Sequence, residues 1–377
     1  MRQGVGVAGE KEEAKTVCFF FGDFSGAGGA ERSAISIANG LAGNGYRVIL
    51  LSLVSDNRFF FRVDERIKCV SLFDRKISIK LNIFAVLTGI RLFCKKERVA
   101  IWIDVDPIVS SISLPALAFL KVRHISWEHF NFKNALGRRM RRLGRYMAAQ
   151  FADAIVVLTK QDERLWLDAL NPKARISVIY NPSPFDNVFN DHSRKDGRLI
   201  ISIGRLIKLK GYDLLIDAWQ LIRRDCANGW SVVVIGDGPE KPFLEQKIKA
   251  LGLSETFLLV GRKNDVASYY EKADLFCLSS LAEGLPMVLI EAQAYGVPCV
   301  SFNCLTGPSE IIEHGVNGLL VDCGDVVGLA NALRLMMEDQ DMRTRMSSAS
   351  IVAKRKFNRQ DIIARWCRLF AEISHDK

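Results

Sequence analysis

The chain has 377 residues, 49% of them hydrophobic and 25% charged, with a formal net charge of +10. That length accommodates two domains of ordinary size with substantial cores. Nine cysteines without CxxC or other metal-like spacing fit reduced thiols rather than a disulfide framework or a metal site, and no apolar run reaches the roughly 18 residues of a membrane span.

The first fifteen residues are polar and charged with no apolar stretch, and read as an extension before the first strand, not a secretory signal. Strands are predicted over 16–21, 48–54, 100–105, 124–127 and 154–158, separated by helical segments. Gly28-Gly29 follows the first strand, where the missing Cβ permits a close ligand approach; a flexible turn is the alternative. Glu128-His129 follows the strand that ends in Trp127, and a lone histidine there is as compatible with a structural as with a direct role.

Charge is uneven along the chain. Residues 1–190 carry 28 basic against 18 acidic side chains, and residues 191–377 carry 24 against 24. The excess peaks between Lys133 and Met147, where Leu136, Met140, Leu143 and Met147 recur at helical spacing among six cations. This pattern describes a basic amphipathic helix able to lie on an anionic membrane, with Arg138, Arg139, Arg141 and Arg142 facing the lipid. A core-facing apolar stripe with a solvated basic face fits the pattern equally well. Two apolar stretches with basic ends, Leu81 to Arg91 and Ile112 to Lys121, favour membrane contact. No RNA- or DNA-binding motif accompanies the basic surface, so nucleic acid is not expected as a partner.

The prolines of Ile179-Tyr-Asn-Pro-Ser-Pro184 and the polar tract Asn187 to Gly197 mark a linker. Strands resume at 199–203, 232–235, 257–260, 275–278 and 299–302. Alternation of strands and helices along the whole chain argues for α/β architecture with mainly parallel sheets. Arg205 and Lys210 follow the strand 199–203 across a short loop, Gly236-Asp-Gly238 reads as a turn that shapes the domain, and Gly261-Arg262 follows the strand 257–260. The strand ending at Leu278 leads through Ser279-Ser-Leu-Ala-Glu-Gly284 into a helix opened by Pro286 and closed by Gly296. Glu283 is left at the helix mouth and Glu291 lies about one and a half turns inside. Carboxylates beside a positive helix end with free backbone N–H groups suit a ligand carrying hydroxyls and phosphates. By themselves they fit a helix cap and a solvated surface residue better.

The run Glu283-Gly-Leu-Pro-Met-Val-Leu-Ile-Glu291 resembles the Glu-x7-Glu motif of the retaining GT-B glycosyltransferases, family 4 in particular. Gly28-Gly-Ala-Glu-Arg32, Gly204-Arg-Leu-Ile-Lys-Leu-Lys-Gly211, Val234-Ile-Gly-Asp-Gly-Pro239, Gly307-Pro-Ser-Glu310 and Gly315-Val-Asn-Gly-Leu-Leu extend the resemblance over nearly the whole chain. It implies two doubly wound Rossmann-like domains facing across a cleft. The first, residues 1–186, would bind the acceptor, and the second, residues 187–359, the nucleotide sugar; the last helix, 360–377, would cross back onto the first. By the family pattern Arg205 and Lys210 neutralise the leaving diphosphate. Glu291 accepts hydrogen bonds from the ribose, and Glu283 with the backbone of Gly284 and Leu285 orients the donor sugar. Gly261 and Arg262 form the base-binding edge, Gly28 and Gly29 approach the diphosphate or the sugar, and His129 lies beside the transferred sugar. Asp104-Val-Asp106 imitates the metal-binding DxD of the GT-A fold, but it falls in the acceptor domain and is discounted.

The resemblance implies a retaining, metal-independent hexosyltransferase without a cofactor beyond its nucleotide-sugar co-substrate, a UDP-sugar. The acceptor would be a lipid-linked glycan or lipopolysaccharide precursor, at the cytoplasmic face of the inner membrane. A nucleotide-sugar epimerase, a sugar phosphorylase and a peripheral binding protein with a decayed site are the alternatives.

Overall fold

A computed structural model describes residues 14–55, 58–75, 77–79, 81–134, 139–185, 198–226 and 229–375. The polar tract 187–197, Leu136 and Arg138 therefore lie outside the described residues.

Two parallel sheets form the frame. The first contains β1 (Thr16–Phe21), β2 (Arg47–Val54), β3 (Lys68–Phe73), β4 (Val99–Asp104), β5 (Arg123–Trp127), β6 (Ala154–Val157) and β7 (Arg175–Val178), in the order β3-β2-β1-β4-β5-β6-β7. The second contains β8 (Leu199–Ile203), β9 (Ser231–Ile235), β10 (Phe257–Leu259), β11 (Leu275–Leu278), β12 (Cys299–Asn303) and β13 (Gly318–Asp322), in the order β10-β9-β8-β11-β12-β13. The crossovers of the first sheet carry α1 (Gly29–Gly43), α2 (Ile83–Lys96), α3 (Pro107–Leu117), α4 (Arg139–Phe151) and α5 (Lys160–Leu170). Those of the second carry α6 (Tyr212–Cys226), α7 (Lys241–Ala250), α8 (Ala267–Lys272), α9 (Met287–Ala294) and α10 (Pro308–Ile311). The helices α11 (Val326–Glu338), α12 (Gln340–Ala353) and α13 (Arg359–His375) close the chain.

Strands covered on both faces need apolar residues at every position, which is why β1 reads Thr-Val-Cys-Phe-Phe-Phe. Their side chains alternate: Val17 and Phe19 enter the core shared with α1 and α13, whereas Cys18 and Phe20 enter the core beneath α2 and α3. The first of these cores runs without a break into the second domain, because α13 returns across it. Trp366 of α13 meets Trp127 edge to face at 4.9 Å, Phe370 meets Tyr46 at 5.6 Å, and Ile363 fills the space beside Gly40 of α1. Both sheets reverse direction once, between β1 and β4 and between β8 and β11. Loops leaving the carboxyl ends of strands at such a reversal diverge and open a crevice.

The basic helix is oriented differently from the lipid-facing expectation. Arg141 is only 2% exposed and pairs with Asp106 at 2.5 Å, and Arg145 pairs with the fully buried Glu128 at 2.6 Å. Gly144, between them, lies so close to the Pro107 carbonyl oxygen that a Cβ could not fit. Arg141 therefore cannot face lipid. The exposed face of α4 carries Arg139, Met140, Arg142, Leu143 and Tyr146 instead.

Candidate active site

Three loops of the second domain converge at its strand reversal. After β8, residues 204–211 turn through a 3₁₀ segment, Lys208–Lys210, and end at Gly211, whose φ of 59° suits glycine. Gly236 and Gly238 after β9 approach the carbonyls of Gly204 and Leu206 too closely for any side chain. Ser279 after β11 donates its hydroxyl to the Lys210 carbonyl at 2.9 Å, and the Leu281 amide donates to the Leu209 carbonyl at 2.9 Å. The glycine-rich turns thus shape the floor on which the cations stand.

On that floor Lys210 pairs with Glu283 at 2.6 Å, both side chains mostly shielded from water. Arg205 is exposed at the same mouth. Behind Glu283, α9 begins at Met287 with Pro286 in the capping position, one residue later than the sequence suggests, and no side chain caps it. The positive end of a helix without a side-chain cap suits an anion.

The first domain meets this floor directly. Asn131 donates its amide to the Glu283 carbonyl at 2.9 Å, Thr306 donates to the same oxygen at 2.6 Å, and Gly284 touches the carbonyl of His129 so closely that only glycine fits. Arg145 fixes the segment 128–134 that makes these contacts. Besides Glu128, its guanidinium donates to the carbonyls of Phe132, Asn131 and Asn134. The His129 imidazole stacks beside Trp127 with ring centroids 4.3 Å apart, and its Nε2 is shielded from water with no protein partner. Burial pushes its pKa down to about 3, so the ring is neutral at physiological pH.

Glu291 is 4% exposed, and both of its oxygens are engaged: Oε1 accepts from Arg32 of α1 at 2.6 Å and Oε2 from the Tyr270 hydroxyl at 2.9 Å. Gly28 caps α1, and the Glu31 carboxylate folds over Gly26 and Gly28, whereas the space a Cβ on Gly29 would take is open. Beyond Gly261, whose φ is 73°, the Arg262 guanidinium lies 5.1 Å from the Phe60 ring of the first domain. The structure thus gathers Lys210, Glu283, Gly284 and His129 at one contact, with Leu285 buried next in the chain, and places Arg32 and Glu291 at a second. Asp104 and Asp106 are internal. Asp104 accepts from Trp102, Ser110 and Ser113 and sits 2.8 Å from His124; Asp106 caps α3 and pairs with Arg141. Among the described residues no group of three or more His, Cys, Asp or Glu is placed to hold a metal ion, and no helix is long and apolar enough to cross a membrane.

The roles of Asn131, Arg145, Arg32 and Tyr270 are absent from the sequence reading. Arg32 stands inside the quoted Gly28-Gly-Ala-Glu-Arg32 segment, the only signal available for it. The partners of the others are distant in sequence.

Known proteins resemble this chain over most of its length. Residues 27–185 match the family model "Glycosyltransferase Family 4" and residues 185–352 match "Glycosyl transferases group 1". A protein of Haemophilus influenzae described as an uncharacterized glycosyltransferase is 33% identical over 352 residues, 93% of this chain and 99% of that one. A Campylobacter jejuni protein is 29% identical over 353 residues, covering 92% of this chain and 96% of its own. Its name is GalNAc-alpha-(1->4)-GalNAc-alpha-(1->3)-diNAcBac-PP-undecaprenol alpha-1,4-N-acetyl-D-galactosaminyltransferase. Among solved structures, HepE of Anabaena in complex with UDP superposes with a TM-score of 0.78 at 20% identity, over 95% of this chain and 100% of that one.

Beneath the 128–134 segment, burial and the neighbouring Glu128 push the Asp162 carboxyl up to about 7. In the fold Asp162 keeps its proton at pH values where the unfolded chain has released it. Its contribution is therefore most favourable below the ordinary carboxylate range and is lost as pH rises through about 7. D162N retains the acceptor for the Phe132 amide but removes the titration. Its melting temperature relative to wild type is expected to rise between pH 5 and pH 9, by roughly 1 °C per kcal/mol relieved for a chain of this length. A difference that stays constant across that range would mean that Asp162 is not protonated in the fold.

Proposed function

The chain belongs to the glycosyltransferases of group 1 and family 4, and from that premise we propose that it moves a hexose from a UDP-sugar, with retention, to a lipid-linked glycan or lipopolysaccharide precursor. The observation that carries this reading is the Lys210–Glu283 pair at the uncapped start of α9. A cation and a carboxylate that neutralise each other there offer a donor complementary groups, the first for its phosphate and the second for a sugar hydroxyl. The lipid-linked substrate in the name of the Campylobacter relative supports the acceptor class, and the UDP held by HepE supports the base.

In this mechanism the β-phosphate draws Lys210 away from Glu283 and lies between Lys210, Arg205 and the first amides of α9. The bond from the anomeric carbon to the phosphate oxygen breaks as these groups take up the developing charge. The acceptor hydroxyl attacks from the same face through a short-lived oxocarbenium ion, and its proton passes to the leaving phosphate oxygen. Glu283, freed from Lys210, orients the sugar through its hydroxyls, as do the amides of Gly284 and Leu285. His129, neutral beside the transferred sugar, adds no positive charge next to the oxocarbenium ion. Arg205 and Lys210 supply the cationic charge, so the proposed reaction runs without a metal ion. Gly261 and Arg262 hold the base, and Gly28 and Gly29 allow the first domain to approach the donor.

The proposed location is the cytoplasmic face of the inner membrane. Supporting it, α4 exposes Met140, Leu143 and Tyr146 beside Arg139 and Arg142, and Leu81 and Phe84 at the start of α2 are 86% and 83% exposed. Lipid contact would bury these apolar groups while the arginines meet headgroups.

Retention and metal independence are tested together. Transfer is expected to proceed in excess EDTA, with the donor's anomeric configuration kept in the product by NMR. An inverted product, or activity lost to EDTA and restored by Mn²⁺, would contradict the mechanism. Cations and carboxylates should also fail differently. Arg205→Ala and Lys210→Ala should each lower kcat by roughly 10²–10³-fold, whereas Glu291→Ala should mainly raise the donor KM, because ribose contacts differ little between ground and transition states. Near-wild-type rates in both cation variants would move the diphosphate elsewhere. For the membrane, replacing Arg139 and Arg142 by Gln and Leu143 by Ser should release the protein from phosphatidylglycerol vesicles at low salt, each lost cation removing about 1 kcal/mol. Unchanged vesicle binding would exclude α4 from the docking surface.

A further inference from the structure

Arg32 belongs to the first domain, yet its shortest contact is with the second. Its guanidinium donates to Glu291 Oε1 at 2.6 Å, and its carbon lies 5.7 Å from the Phe61 ring and 5.6 Å from the Phe185 ring. Phe185, at the end of the first domain, packs edge to face on Tyr295 at 5.0 Å and on Tyr270 at 6.3 Å, and Tyr270 donates to the other oxygen of Glu291. One guanidinium thus joins α1, the 58–66 loop, the linker end and α9. It also lines a cavity of about 930 Å³ along α1, between Phe61 and Pro184, within the size range of small-ligand pockets, roughly 300–1,000 Å³.

Neither family description nor the proposed mechanism uses this residue. We propose that Arg32 is a positioning residue through which the first domain holds Glu291 for the donor's ribose, so that nucleotide affinity depends on contact between the domains. The inference rests on the ribose role of Glu291 and adds the residue that makes the role possible. A carboxylate this deeply buried keeps its charge only beside a counter-charge. Burial holds the Glu291 carboxyl above its ordinary value, and Arg32, followed by the Tyr270 hydrogen bond, offsets part of that rise. Each carboxylate oxygen has two acceptor sites, so Arg32 and Tyr270 leave one lone pair on each oxygen for the ribose hydroxyls. Without Arg32 the carboxyl takes up a proton and becomes a poor acceptor. The other groups facing Glu291 are the hydroxyls of Tyr270 on α8 and Tyr295 after α9, both with pKa values raised above the ordinary tyrosine range, so they do not titrate near neutrality.

The test is calorimetric titration of UDP into the wild type, R32M, R32K, E291Q and the R32M/E291Q double variant of the full chain. R32M keeps an unbranched stem between the two phenylalanines. R32M and E291Q are each expected to weaken UDP by roughly 5- to 150-fold, the ordinary range of coupling between sites, and the double variant to bind no worse than the weaker single variant. The ratio of R32M to wild-type affinity, which cancels the titration of the nucleotide itself, should recover as pH rises from 6 to 9, because Glu291 then loses its proton. R32K keeps the charge and should restore a flat ratio, even if R32M proves poorly folded. An E291Q that binds UDP like wild type would sink the ribose role and this proposal with it. A weakened E291Q beside an unaffected R32M, a tighter R32M, or losses that add in the double variant would leave Glu291 its role and reduce Arg32 to a packing contact.

Discussion

A charge withdrawn from water has to be matched by another, and in this protein that constraint decides which way the main elements face. The desolvation of an isolated buried ion costs several kcal/mol, so a guanidinium inside a fold settles where carboxylates and carbonyls already point. Arg141 and Arg145 obey it in α4, drawing the helix onto Asp106 and Glu128 and turning Met140 and Leu143 outwards. Through Arg145 the same pairing sets the 128–134 segment, and that segment delivers His129 and Asn131 to the second domain. The position of the cleft wall therefore follows from an ion pair beneath it.

The same rule acts across the cleft with a different result. Glu283 and Glu291 belong to one strand-loop-helix unit, but each finds its cation elsewhere: Lys210 in the neighbouring loop and Arg32 in the other domain. The Lys210–Glu283 and Arg32–Glu291 pairs each keep a cation partly open to solvent, whereas the Arg145–Glu128 pair is closed off from it. Closed pairs thus lie beneath the contact between the domains and partly open pairs lie at it. One continuous core holds residues of both halves, with Trp366 of α13 packed on Trp127 within it.

Much of the frame was legible in the sequence because central strands of parallel sheets are apolar at every position. The strands absent from the sequence reading are β3, β7 and β13, all at sheet edges, where half-exposed residues such as Lys68 and Arg175 interrupt the pattern. The loops after β8, β9 and β11 were legible for a related reason: Gly211, Gly236 and Gly284 stand where backbone meets backbone, and such glycines leave a recognisable spacing. The basic helix was not. Six cations among apolar residues at helical spacing describe its composition, but Asp106 and Glu128 lie 35 and 17 residues before their arginines, and no local pattern reports such partners. Arg32 and Glu291, 259 residues apart, are a still more distant case. Periodicity finds the face of a helix that is apolar; it does not find a face made apolar by neutralising its charges.

In the proposed reaction the donor's diphosphate lies on the loops after β8 and β11 at the start of α9, where it displaces the Lys210–Glu283 pair. A crystal structure of the chain with UDP tests this most directly. The account predicts phosphate oxygens within hydrogen-bond reach of Lys210, Arg205 and the first amides of α9, with Glu283 turned away from Lys210. Density for the diphosphate anywhere else, with Lys210 still bound to Glu283, would contradict it.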